Sequence, residues 1–505
     1  MLKANLKKVI SNNKFNTQLT KMTSNYSTGS NIIGYAEDDV LFSNKNMARL
    51  VTLNRPKKLN SLNTSMVSKI MPRLLEYSKS SVNNVIILNS TLAKGLCAGG
   101  DVTECAKQIK AGNAAYASDF FQREYNLNYL ISTYPKPYVA LMDGITMGGG
   151  VGLSVHAPFR VSTERTKLAM PETDIGLFPD VGTTFFLPRL DDKIGYYLAL
   201  TGQVLSGLDC YMLGFATHYV PSDRIDSLVN RLSNLQPPSV NDNKPEDNHA
   251  SILNNNKEYY AQVNQAIEEF TENKLPEDYK YPFTTEQLKL IKNAFSQPSI
   301  EEILSYLEKD GSEFAQKTYK TLLLKSPTSL KVAFELLNRG AVNSIRQQFE
   351  LEMITATNLV NIKPEENDFV KGVSHKLIDK IKEPAYPEWN LNKQPSGISS
   401  EFVQKALSKS IHSTKLNEPL IEKLFGINYK AYPYNMGLPN GNQVKSYITG
   451  NDGSGRSYLP TPNEVTKYFK QSTSNKLGVE LKVQSILDHH GEASKYDNKY
   501  VSWIE

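Results

Sequence analysis

Residues 136–156 read KPYVALMDGITMGGGVGLSVH. Tyr138–Met142 (YVALM) is a short apolar run suited to an extended chain, and it stops at Asp143-Gly144. Three consecutive glycines, Gly148–Gly150, follow, and VGLSVHA then reads as the opening of a helix. Such a turn leaves side-chain-free backbone N–H groups at a helix start, where the peptide dipoles favour negative charge.

The pattern occurs twice. Upstream, Val85–Asn89 (VIILN) precedes Cys97-Ala98-Gly99-Gly100-Asp101, which again opens a helical stretch. Two such donors converging on one point would make an oxyanion hole for a thioester or ester carbonyl, each lowering the barrier by ~3–4 kcal/mol. The same glycines also suit plain tight turns, and the sequence leaves both readings open. Met47–Leu53 (MARLVTL) reads as a further strand and 62–78 as an amphipathic helix. Strand and helix alternating to about Val220 predict an α/β layered architecture.

Residues 170–180, MPETDIGLFPD, place Glu172 and Asp180 in a loop bounded by Pro and Gly, with Ile175, Leu177 and Phe178 between them. Apolar surroundings raise a carboxyl's pKa and ready it for proton transfer. The competing reading makes Asp180 the N-cap of a helix near Gly182 and Glu172 a surface acid. No phosphate-binding G-x-x-x-x-G-K-[ST] is present, and Leu153 spoils G-x-G-x-x-G. G-x-S-x-G is missing too, so Ser154 and His156 read as packing residues.

The chain has 505 residues, 40% hydrophobic and 22% charged, a balance for two to four folded domains. No apolar run reaches the ~18 residues of a membrane span. Cys97, Cys105 and Cys210 form no disulfide framework or C-x-x-C pair, and His489-His490 has no metal-ligand company nearby in sequence. A reducing compartment and metal-free chemistry are expected. The net charge of +5 is uneven: residues 1–36 carry +5, residues 37–390 carry −4 and residues 391–505 carry +4.

Residues 1–30, basic and free of acids, have the profile of a mitochondrial targeting segment or of a disordered basic terminus. The core is expected over 35–235, a flexible Pro- and Asn-rich insertion over 236–257, and a helical region over 258–390. In that region KSPTSLKVAFELLNRG (325–340) has a Ser-Pro entry and a closing glycine. Residues 391–505 read as a C-terminal extension, an appendage outside the main core.

Taken together, these stretches resemble the crotonase (enoyl-CoA hydratase/isomerase) superfamily, and most closely its 3-hydroxyisobutyryl-CoA hydrolase branch. The resemblance rests on LNRPKKLNSLN (53–63), CAGGD (97–101), FFQREYNLNY (120–129), 136–156, AMPETDIGLFPDVG (169–182), ALTGQVLSGLD (199–209), GFATHYV (214–220), KSPTSLK (325–331) and HKLIDK (375–380). It implies an α/β fold, a spiral of β-β-α turns with a helical C-terminal region, here bearing an extra appendage. It implies that Gly100 and Gly149 form the oxyanion hole and that Glu172 is the acid/base or nucleophile. Asp180 and Glu124 match substrate-contacting positions. The loop 54–63 and the segment with Ala98 and Gly99 would hold the CoA nucleotide, with Lys57 and Lys58 at its phosphates.

One departure is informative. Hydratases carry a first glutamate two residues after the third glycine, and here that position is Gly152. Hydrolysis is therefore favoured over addition of water across an alkene. Thr183 and Thr184 replace glycines common in the branch and are expected to narrow the acyl pocket. The implied activity is hydrolysis of a short-chain acyl-CoA, 3-hydroxyisobutyryl-CoA of valine catabolism, in the mitochondrial matrix. It needs no metal and no cofactor beyond the CoA of the substrate. The tail resembles the extension of fungal mitochondrial members whose relatives occur in the mitochondrial small ribosomal subunit, which implies contacts with its proteins and rRNA. A purely structural ribosomal role and an enoyl-CoA hydratase are the alternatives. Oligomeric state is not legible, although trimers are common in the superfamily.

Overall fold

The computed structural model describes residues 33, 35–80, 85–236, 249–384, 386–389, 395–413, 416 and 427–504. The expected targeting segment lies outside them, as does the first half of the expected insertion. From His249 the chain is helical (His249–Glu268), so residues 249–257 are not the irregular insertion expected of them.

The strands, in chain order, are β1 (Val40–Lys45), β2 (Ala48–Leu53), β3 (Val85–Ser90), β4 (Gly95–Cys97) and β5 (Tyr138–Met142). They continue with β6 (Ile145–Met147), β7 (Phe159–Ser162), β8 (Lys167–Ala169), β9 (Leu205–Ser206) and β10 (His218–Tyr219). Six form one sheet in the order β1-β2-β3-β5-β7-β10, parallel except for the β1–β2 hairpin. A second sheet, β4-β6-β8-β9, runs beside it. From β3 onward each successive pair of strands gives one strand to each sheet.

The uninterrupted apolar runs in β3 and β5 follow from burial on both faces. Ile86, Leu88, Tyr138, Ala140 and Met142 face the larger core, whereas Val85, Ile87, Val139 and Leu141 face a second cluster. The helices Ile225–Ser233 and His249–Glu268 cover that second cluster. Helices Thr64–Lys79 and Ala114–Ser132 lie on the larger core, where helices 285–295, 300–310, 313–323, 327–340 and 345–360 join them. The Ser-Pro entry is realised: Ser326 caps Pro327–Gly340 by accepting from the Ser329 N–H. The helix expected after the glycine run is a single turn, Gly149–Gly152, so a long helix dipole contributes little there.

The tail requires correction. It is not an appendage outside the core: Val444, Val465, Phe469, Val483 and Ile486 belong to the same buried cluster as the sheet and helices. Tyr129 donates to the Ile427 carbonyl at 3.3 Å and Tyr211 to the Leu477 carbonyl at 2.8 Å, while Tyr434 stacks on Tyr260 at 4.3 Å. Lys482, almost fully buried, pairs with Asp191 at 2.9 Å. Tyr432 packs among Phe185, Phe186 and Tyr429. Tyr432→Ala should therefore lower unfolding stability by roughly 2–3 kcal/mol, read from the urea midpoint. An unchanged midpoint would show the tail to be energetically separate.

Candidate active site

The two glycine turns meet. Strands β4 and β6 pair in parallel and end side by side at 97–100 and 147–150. Gly148 adopts φ +46° and Gly99 φ +119°, conformations that favour glycine. A Cβ added at Gly149 would lie 3.2 Å from the Gly100 amide nitrogen and 2.4 Å from Glu124 Oε1. One added at Gly148 would lie 2.7 Å from Glu172 Oε1. Neither the Gly100 nor the Gly149 N–H donates to an acceptor among the described residues. Two unspent backbone donors thus stand beside two carboxyl groups.

Glu124 comes from the helix Ala114–Ser132, Glu172 from the 3-10 turn Glu172–Ile175, and Asp180 from the loop that follows. All three are buried, and among the described residues no basic side chain pairs with any of them. Glu124 Oε1 and Glu172 Oε2 have no hydrogen-bond partner. Burial, and then the Asp180 charge, push Glu124 and Glu172 well above the usual carboxyl range. Asp180 is pushed up to about 7 by burial, against the pull of the Tyr125 hydroxyl, which donates to its Oδ2 at 2.7 Å. The native site therefore holds protons that the unfolded chain releases. Asp180's contribution to stability is largest below its ordinary value of 3.8 and is lost as pH rises through about 7.

The competing sequence reading fails. Glu172 is no surface acid, and the cap of the short helix Thr183–Phe186 is Gly182, with no side-chain bond from Asp180. The Glu172 loop is pinned from outside by Asp174, which pairs with buried Lys325 and with Lys376, each at 2.9 Å. Thr173 accepts at its carbonyl from the Ser326 N–H at 3.1 Å.

Position 152 explains the missing second glutamate. A Cβ there would lie 2.5 Å from Val181 Cβ and 2.9 Å from Asn128 Nδ2. No longer side chain fits without moving the Asp180 loop. Asn128 is fully buried and neither atom of its amide has a partner.

Several site-shaping residues escaped the sequence analysis. Glu352, 170 residues beyond Gly182, accepts from the Gly182 N–H at 2.6 Å and the Thr184 N–H at 3.1 Å, and also from the Thr184 hydroxyl. Burial pushes it up to about 8 despite those donors. His156 Nε2 donates to the Val181 carbonyl at 2.9 Å, so its Nδ1 must accept from the Tyr432 hydroxyl at 2.7 Å. Burial lowers its pKa to about 4, consistent with a neutral ring. The hydroxyls of Thr183 and Thr184 turn to the Asp180 carbonyl and to Glu352, so they brace the loop instead of narrowing an acyl pocket.

The loop 54–63 packs on the first glycine turn. Leu62 N–H donates to Gly99 O at 2.8 Å, Ala98 N–H to Leu59 O at 3.0 Å, and Asp101 N–H to Leu62 O at 2.6 Å. Buried Asn60 bonds Ser90 Oγ at 2.7 Å and Leu96 O at 3.0 Å, and Arg55 pairs with Asp101 at 2.8 Å. Lys57 and Lys58 are exposed on the turn Pro56–Lys58, whose following residue Leu59 accepts from the Ala98 N–H. The three cysteines are buried, and burial raises the pKa of each. No described helix is long and apolar enough to cross a membrane.

Residues 48–405 match the enoyl-CoA hydratase/isomerase family. The chain is 43% identical over 373 residues to the mitochondrial 3-hydroxyisobutyryl-CoA hydrolase of Danio rerio, covering 74% of this chain and 90% of that protein. It is 38% identical over 482 residues to the small ribosomal subunit protein mS47 of Neurospora crassa, covering 93% and 89%. The carnitinyl-CoA dehydratase structure from Mycobacterium thermoresistibile superposes with a TM-score of 0.63 at 31% identity, covering 76% of this chain and all of that one. The chain belongs to the enoyl-CoA hydratase/isomerase family, the crotonase superfamily.

Proposed function

We propose that the protein is a mitochondrial acyl-CoA thioester hydrolase acting on 3-hydroxyisobutyryl-CoA. The observation that carries this reading is the pairing of two unspent amides, Gly100 and Gly149, with an acidic cluster whose neighbour position 152 has no room for a second glutamate. The thioester carbonyl oxygen accepts from both amides, each donor lowering the barrier by ~3–4 kcal/mol as negative charge develops. Glu172 in its ionised form either removes a proton from an attacking water or attacks the carbonyl carbon itself. In the first case the tetrahedral oxyanion collapses, CoA leaves as thiolate, and the proton on Glu172 passes to it. In the second, CoA leaves as thiolate as the anhydride forms, and water then cleaves the anhydride at the Glu172 carbonyl and gives a proton to the thiolate, so that oxygen from labelled water enters Glu172 in a single turnover. Glu124 and Asp180 hold the 3-hydroxyl and orient the water. Lys57 and Lys58 meet the CoA phosphates beside Ala98 and Gly99.

A second role, in the mitochondrial small ribosomal subunit, is favoured by one observation. The mS47 relative aligns over 93% of the chain, tail included, whereas the hydrolase relative covers 74%. The tail's net charge of +4 suits contact with rRNA and ribosomal proteins. Because the tail shares the core, the test uses the whole chain, which should co-sediment with the small subunit at physiological salt. Absence from that fraction would count against this role and leave catalysis untouched.

Two measurements test the catalytic reading. Glu172→Gln should reduce thiol release from 3-hydroxyisobutyryl-CoA on the order of 10³-fold with little change in KM; equal rates would remove the role of Glu172. Crotonyl-CoA should keep its enoyl absorbance, and its loss without CoA release would restore the hydratase alternative. The pH profile of kcat/KM should rise as Glu172 ionises above the usual carboxyl range, and the ionisation of Asp180, which orients the water as an acceptor, should add a limb near 7. Tyr125→Phe removes a donor to the ionised form of Asp180, so that limb should move upward by roughly one pH unit. A limb that stays in place would dissociate Asp180 from the rate.

A further inference from the structure

The tail is clamped to one short turn. In Asp191–Lys193, Asp192 and Lys193 take the left-handed φ values of +50° and +62°. That backbone points consecutive carboxylates at the tail. Asp191 accepts from the Gly441 N–H at 2.8 Å and from Lys482 Nζ at 2.9 Å. Asp192 Oδ1 lies 2.7 Å from His490 Nε2 and 3.6 Å from His489 Nε2. Both histidines end the buried helix Val479–His490.

The protons around His490 carry the argument. Its Nδ1 lies 3.1 Å from the Ile504 carbonyl oxygen, which can only accept, and its Nε2 faces the Asp192 carboxylate. A neutral imidazole has one N–H. With Nδ1–H given to Ile504, the Nε2 lone pair faces an anion, so either Nε2 carries a second proton that it gives to Asp192, or both atoms turn to a cation beside them. His489 is buried beside the same oxygen and its Nδ1 has no partner. The three donor atoms, two nitrogens and one oxygen, lie within 4.8 Å of one another.

We propose that Asp192, His489 and His490 bind one divalent transition-metal ion that ties the C-terminal extension to the catalytic core. Two imidazoles and a carboxylate suit zinc better than magnesium or calcium, which prefer all-oxygen shells. The Ile504 carbonyl supplies the outer contact that orients a metal-bound histidine. A cavity of about 1000 Å³, lined by Asp192, His490 and Trp503 among others, leaves room for a water as fourth ligand. Lys292 and Lys289, on the helix Thr285–Phe295, act on the charges of the cluster and oppose a dication, which weakens the expected affinity.

The test uses full-length protein stripped with a chelator and titrated with ZnCl2 by calorimetry, and in parallel with CoCl2 by visible absorbance. One equivalent should bind, cobalt should show the intense bands of a four-coordinate site, and the melting temperature should rise with zinc. His490→Ala and Asp192→Asn should weaken binding by more than roughly tenfold and abolish the zinc-dependent thermal shift, with thiol release retained. The cobalt spectrum of the unaltered chain decides the matter even where a variant folds poorly. Absence of saturable binding by the unaltered chain, or undiminished binding in a His489→Ala/His490→Ala variant, would overturn the site and leave the hydrolase reading standing.

Discussion

Everything at the site depends on two backbone turns approaching more closely than side chains allow. The Gly149 turn lies against the Gly100 amide and Glu124 Oε1, and Gly148 lies against Glu172 Oε1. Hydrogen side chains permit that approach, and the approach leaves two N–H groups without partners next to carboxyls without cations. Both are costly in a folded protein. In the hydrolysis we propose, a thioester carbonyl and an attacking water would supply what such groups lack, and the unfavourable electrostatics of the resting site would become favourable ones as charge develops on the carbonyl oxygen.

The rest of the molecule holds this arrangement in place. Parallel pairing of β4, β6 and β8 brings together the ends of three chain segments, 97–100, 147–150 and 169–172. Asp174, Lys325 and Lys376 fix one flank of the Glu172 loop. Glu352 fixes the other by taking the Gly182 and Thr184 amides. A hydrogen-bonded relay, Tyr432 to His156 to the Val181 carbonyl, joins the tail to the residue after Asp180. The extension is thus continuous with the catalytic architecture, and what binds the tail acts on a segment one residue from a proposed substrate contact.

Legibility followed the range of the interactions. Strand runs such as VIILN and YVALM are local properties, and β3 and β5 follow them closely. The glycine turns and the MPETDIGLFPD loop were equally visible, because their chemistry is carried by adjacent residues. Strand β1 and the second sheet were not visible: β4, β6, β8 and β9 are two or three residues long, too short for a periodicity, and exist through their partners. Glu352 and Tyr125 sit in ordinary helical patterns, and nothing local marks them as partners of residues 180–184. His489-His490 had no ligand company in sequence because Asp192 is nearly 300 residues away.

From the order of residues alone came the α/β alternation, the paired glycine turns, the acidic loop and the absence of a glutamate at position 152. Each is a short-range matter of backbone freedom or side-chain type. Only the tertiary structure decided that the two turns converge, that three buried carboxyls lie near enough to act on one another, and that the tail is sealed into the core. Those outcomes depend on which distant surfaces exclude water from one another, and burial of that kind is a property of the packed chain and of no segment within it.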